Sequence, residues 1–143
     1  MNYPEELVAP MRKELVNAGF AELHTADEVN TALKQPGTTL LVVNSVCGCA
    51  AGSARPGVLL SLAAPKKPDY LVTVFAGMEK EAVNTAREHM MPYPPSSPAI
   101  ALFKDGEVVE MIERHQIEGR STEMIAKHLT QSYQTYCSKT ESE

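Results

Sequence analysis

Two cysteines separated by one glycine, Cys47-Gly48-Cys49, are the residues whose type and spacing could most directly do chemistry. Disulfide exchange needs an attacking thiolate, a second thiol able to resolve the mixed disulfide, and access for the substrate. A free cysteine has a pKa of about 8.5, so little of it is thiolate at neutral pH. The start of a helix changes that, because its unpaired N–H groups and the positive end of its dipole both favour the anion. A Cys47–Cys49 disulfide would close a smaller ring than a Cys-x-x-Cys pair closes. Departures from disulfide geometry store strain that makes the bond easier to reduce, and Gly48 is the residue best able to take the backbone angles required. Such a pair accepts a thiol adduct readily and forms a comparatively weak internal disulfide. That suits isomerisation, or removal of a small-thiol cap, better than strong reduction.

The same thiols admit a second reading. Cys47, Cys49 and Cys137 with one of His24, His89, His115 or His128 would make a four-ligand zinc set, and the chain would then be a thiol-based metal-binding or metal-delivery module. No second cysteine pair exists and none of the histidines has a ligand spacing, so no metal site is expected. A free-thiol titration on metal-free and as-purified protein separates the two readings. Burial as small hydrophobes is common for cysteine, but it explains poorly two cysteines flanking a glycine at a strand end. His115 reads as a surface or loop-bracing residue, with a role at the site mouth as the alternative, and His128 as a core residue with one polar contact.

The elements that must position the pair follow from the flanking pattern. Thr38-Thr39-Leu40-Leu41-Val42-Val43-Asn44 is β-branched and apolar without alternation, as in a central strand covered on both faces. Residues 50–64 carry Val58, Leu59 and Leu62 at helical spacing, with a kink or a late helix start expected at Pro56. Cys47 therefore falls between a strand end and a helix start. Upstream, 4–18 and 25–33 read as helices, the second opened by the capping pattern Thr25-Ala26-Asp27-Glu28. Downstream come a strand at 70–75, a helix at 79–90 ended by Pro92, and a proline-rich elbow through Pro98. Strands at 99–103 and 108–112 follow, joined by Asp105-Gly106, a hairpin signal, and then a helix at 121–136. After two leading helices the order is β-α-β-α-β-β-α, similar to the thioredoxin order: a mixed sheet flanked by helices, with an N-terminal helical extension. In folds of that kind a cis-proline heading an antiparallel strand lies against the active cysteines, so Ser97-Pro98 is expected to be cis. Sixteen residues of helix from Ser121 would carry Cys137 roughly 24 Å away from the helix start, too far for Cys137 to join the first step. In the competing reading the tail unwinds and Cys137 resolves the adduct.

At 143 residues, 43% of them hydrophobic, the chain can build one domain with a real core, expected over 1–137 with a disordered tail at 138–143. A net charge of −5 and no basic cluster longer than Lys66-Lys67 argue against nucleic acid. No apolar run reaches membrane-spanning length, and the acidic N-terminus lacks a secretory layout. A cytoplasmic location is expected.

The stretch Val42-Val43-Asn44-Ser45-Val46-Cys47-Gly48-Cys49-Ala50-Ala51-Gly52, then Ala54-Arg55-Pro56, closely resembles the signature of the bacilliredoxins. Val74-Phe75-Ala76-Gly77, Pro95-Ser96-Ser97-Pro98 and Arg114-His115-Gln116-Ile117-Glu118-Gly119 resemble it too. The resemblance implies a thioredoxin-like cytoplasmic enzyme with no bound cofactor, acting on S-thiolated client proteins with bacillithiol as thiol co-substrate. It implies that Cys47 attacks and carries the bacillithiol adduct, with Cys49 as the second thiol. Ser97, Pro98, Arg55 and Asn44 are the expected substrate-binding residues. Arg55 is placed either as a clamp on the carboxylates of that thiol or as a solvated helix residue, and Asn44 either as a strand-end hydrogen bond or as a tuner of the thiolate.

Overall fold

In a computed structural model, residues 3–137 are described, and the expected tail at 138–143 lies outside them. Strand β2 (Thr38–Asn44) is the centre of the sheet, and all seven of its residues are buried. Its alternate side chains serve two cores. Leu41 and Val43 join Val29, Leu33, Val83 and Ala86 on one face. Leu40 and Val42 join Leu15, Val58, Ile125 and Leu129 on the other. Period-two geometry with both faces covered explains why this strand shows no polar alternation.

β2 pairs in parallel with β3 (Tyr70–Phe75) and antiparallel with β4 (Ala99–Lys104). β4 continues through Asp105-Gly106 into β5 (Glu107–Ile112). Both turn residues have positive φ, 52° and 87°, as the tight hairpin requires. The fifth strand is a pair of residues, β1 (Ala21–Glu22), parallel to β3 at the sheet edge, giving the order β1-β3-β2-β4-β5. Its two residues are too few to show a sequence period.

α1 (Glu5–Val16), α3 (Arg55–Ser61) and α6 (Thr122–Tyr136) contribute to one core. α2 (Ala26–Lys34) and α4 (Lys80–His89) contribute to the other. Thr25 caps α2 by accepting from the Glu28 N–H at 3.1 Å, while Glu28 reaches past it to the His24 N–H. Residues 50–54 form a π-helical turn, Ala50–Ala54, that runs into α3, so regular helix starts late, next to Pro56 as expected. α3 and α6 approach so closely at Gly57 that a Cβ there would stand 2.6 Å from the Ile125 side chain. A short helix that the sequence pattern did not disclose, α5 (Arg114–Ile117), follows β5; its capping box is Glu113 with Gln116. No described helix is long and apolar enough to cross a membrane.

Candidate active site

The strand–helix junction places both thiols past the C-terminal end of β2. Cys47 and Cys49 are half-buried, and their sulfurs lie 2.9 Å apart. A disulfide measures about 2.05 Å, so these are two free thiols in direct contact. The Cys47 carbonyl accepts from the N–H groups of Ala50 at 3.0 Å and Ala51 at 3.3 Å, which seats the cysteine loop on the first turn of the π-helical segment.

The two sulfurs are pushed in opposite directions. The Cys49 thiol, donating to Cys47, does most to lower the Cys47 pKa. The Cys49 N–H adds to it, burial opposes them, and the charge of Arg114 and the Ala50 N–H make smaller lowering contributions. Cys49 itself is pushed up to about 11, first by desolvation and then by its bond and repulsion with Cys47. The opposite shifts favour ionisation at Cys47 with the proton kept on Cys49.

Asn44 and Arg55, expected at the substrate surface, are 1% and 2% exposed and lie beneath the loop. That corrects the substrate-surface placement of both: Arg55 is neither a solvated residue nor an accessible clamp, while Asn44 makes the strand-end hydrogen bond that was one of its two readings. The Asn44 side chain accepts from the Ser45 N–H at 2.8 Å and donates to the Met11 carbonyl at 3.2 Å. Arg55 Nη1 donates to Asn44 Oδ1 and to the Ser45 carbonyl, each at 2.9 Å. Its Nε stands 3.1 Å from Glu14 Oε1, an ion pair whose angle falls outside hydrogen-bond geometry. Ser45 Oγ then accepts from the Cys47 N–H at 3.0 Å. Arg55, Asn44 and Ser45 thus form a buried support beneath Cys47, and α1 is tied into it through Met11 and the more exposed Glu14.

The Ser97–Pro98 peptide is cis, and β4 begins directly after it. A second cis bond, Met91–Pro92, went unread in the sequence. Arg114 is a residue at the site that sequence reasoning did not single out. Its Nη1 reaches the Ser97 carbonyl at 3.3 Å, its backbone N–H reaches Ser96 Oγ at 3.3 Å, and its charge lowers both thiols. The signal lay in the hairpin. β5 is antiparallel to β4 with Ile100 opposite Ile112, so two further steps set residue 114 beside Pro98. His115 is exposed. His128 is half-buried and has two polar neighbours rather than one, Arg120 at 3.2 Å and Glu110 at 3.4 Å.

Cys137 is 3% exposed, within hydrogen-bonding reach of the Thr38 side chain, and burial raises its pKa. Thr38 and Asn44 are the two ends of β2, about 20 Å apart at roughly 3.3 Å per residue. The ligand set that joined Cys137 to the other two thiols is therefore not assembled. No group of three or more potential metal ligands occurs among the described residues.

A sequence family described as disulphide isomerase matches residues 3–137. A bacilliredoxin from Cytophaga hutchinsonii is 64% identical over 131 residues, covering 92% of this chain and 97% of that protein. The chain belongs to the bacilliredoxin family. A bacilliredoxin from Halalkalibacterium halodurans, 52% identical over 95% of both chains, agrees. The fold is that of thioredoxin. A mutant thioredoxin from Halobacterium salinarum superposes with a TM-score of 0.58 at 18% identity, over 85% of this chain and 93% of its own. Mitochondrial thioredoxin 3 from Saccharomyces cerevisiae gives 0.55 at 18% identity, over 85% and 98%. Family, fold and free sulfur pair together make the chain a thiol-disulfide oxidoreductase of the bacilliredoxin family.

Proposed function

We propose that this bacilliredoxin-family chain removes bacillithiol from mixed disulfides on client proteins in the cytoplasm, with Cys47 as nucleophile. The observation that carries the reading is the accessible sulfur pair at 2.9 Å, in which one thiol is disposed to ionise and its neighbour to stay protonated. The Cys47 thiolate attacks the bacillithiol sulfur of the mixed disulfide. A Cys47–bacillithiol disulfide forms, the client S–S bond breaks, and the client cysteine leaves as a thiolate. Cys47 is thereby oxidised and the client reduced. Cys49 then attacks Cys47, bacillithiol leaves carrying the proton that Cys49 gives up, and a Cys47–Cys49 disulfide remains. Two further low-molecular-weight thiols restore the dithiol: the first opens the Cys47–Cys49 bond as a mixed disulfide, and the second displaces it, leaving the two joined as their own disulfide.

The cis Pro98 and Ser97 backbone, at the head of β4, is the surface on which an extended client segment would pair. The described family also supports disulfide isomerase activity at the same two thiols. Trapping tests the assignment. With a bacillithiolated peptide, Cys49→Ser is expected to release the peptide thiol and retain one bacillithiol on Cys47, read by mass spectrometry. Cys47→Ser is expected to do neither. An adduct found only at Cys49 would overturn the reading.

A further inference from the structure

With Arg55 buried against Asn44, Ser45 and Glu14, the cationic side chain whose charge reaches both thiols from the accessible side is Arg114. Its setting differs from that of a structural arginine. The side chain is 45% exposed and its ion-pair partner, Glu118, is 55% exposed, with 3.6 Å between Nε and Oε1. An exposed pair at that distance is held weakly, so a better-placed carboxylate can replace it. One terminal nitrogen, Nη1, is fixed on the Ser97 carbonyl, and no described residue bonds the other. The guanidinium is thus oriented from one side, close enough for its charge to act on both thiols, with a donor edge left for a ligand. Arginine's planar fork matches a carboxylate in a way that lysine's ammonium does not.

We propose that Arg114 determines specificity for the small-thiol half of the mixed disulfide: its guanidinium exchanges Glu118 for a carboxylate of that thiol and so selects acidic low-molecular-weight thiols over neutral ones. The proposal deepens the function above and rests on it for the identity of the natural thiol. The chemistry itself requires only a carboxylate within a few bonds of the attacked sulfur. A client side chain could carry the same group, if an acidic residue flanked the modified cysteine. The held Ser97 carbonyl adds a constraint, because Arg114 both braces the cis-proline segment and presents the anion site. Client backbone and small thiol would therefore dock on opposite sides of one guanidinium.

The test compares mixed disulfides of one neutral peptide with mercaptosuccinate, with 2-mercaptoethanol and with bacillithiol, and of an acidic peptide with 2-mercaptoethanol. The quantity read is the ratio of kcat/KM on each charged substrate to kcat/KM on the neutral one. One nucleophile attacks all of them, so any change in the Cys47 thiolate fraction cancels from the ratio. Wild type is expected to favour the mercaptosuccinate disulfide. Arg114→Gln should reduce that preference about three- to tenfold, the range for one charge-assisted contact at a partly exposed site. Arg114→Lys should keep part of it, and Glu118→Gln should keep or raise it. A preference unchanged in Arg114→Gln, even with all rates lowered together, would show that Arg114 only sustains the thiolate and would overturn the proposal. So would a loss confined to the acidic peptide, which would place the recognised charge on the client. Failure of bacillithiol alone, with the mercaptosuccinate preference intact and dependent on Arg114, would sink the bacillithiol reading and leave the anion site standing.

Discussion

Between Cys47 and Cys49 a single proton decides which sulfur attacks. Cys49 donates to Cys47, and that bond does more to hold the Cys47 thiolate than any other group near it. The sign of the pH dependence follows. Because the Cys47 pKa is lowered, alkylation of this thiol should already be fast at a pH where an unperturbed cysteine is still protonated. The rate should climb with pH and level off above the Cys47 pKa. Cys49→Ala removes the largest lowering contribution, so the midpoint of an iodoacetamide pH profile should move up. Cys49→Ser keeps an O–H donor and should move it less. Equal profiles for all three proteins would refute the arrangement. At this scale the sequence disclosed the two thiols and their place at the strand–helix junction, but not that the Cys49 thiol, rather than the helix start, does most to lower Cys47. It did not disclose that Asn44 and Arg55 face inward. Polar residues at a strand end and a helix start are ordinarily solvated, and here only the seating of α1 over them turns them into buried supports.

The elements around the site hold it by close approach and by satisfied polar groups. Gly57 lets α3 lie against Ile125 of α6, with the Thr122 carbonyl 3.2 Å from the place a Cβ would occupy. Gly57→Ala should therefore destabilise the protein by about 1–3 kcal/mol, as overpacking does, read as a lower urea midpoint. A rise in stability from the added helix propensity would show that the contact is slack. Arg55→Met conserves much of the volume but withdraws a donor from Asn44 Oδ1 and from the Ser45 carbonyl. Glu14 is 43% exposed and can rehydrate, and Asn44 Oδ1 keeps its bond from the Ser45 N–H, so the expected loss is that of one of two bonds to Asn44 and of the Ser45 carbonyl's donor, about 1–3 kcal/mol. Denaturant unfolding measures it, and an unchanged midpoint would mean that water replaces the guanidinium without loss. Long elements were legible in the sequence: β2 from its unbroken apolar run, the β4–β5 turn from Asp105-Gly106, α6 from its spacing. β1 and α5 were not, since two and four residues carry too little period to read.

Across the whole molecule the sheet separates two kinds of thiol. The Cys47–Cys49 pair stands past one end of β2, and Cys137 is packed beside Thr38 at the other, among Leu15, Leu129 and Tyr133. Cys137→Ser should leave single-turnover removal of a small-thiol adduct unchanged within error, measured by mass spectrometry. Loss of that rate, or a Cys47–Cys137 disulfide in the monomer, would contradict the distance set by β2. The same separation ranks the protein's vulnerability to peroxide. Oxidation follows thiolate character and exposure, so a sulfenic acid forms first at Cys47. There the adjacent Cys49 thiol condenses with it, expelling water and stopping the ladder at a reducible disulfide. Cys137, dry and protonated, has neither the charge to react nor a neighbouring thiol to rescue it. The fold sends oxidative injury to the one place in the chain where it can be undone.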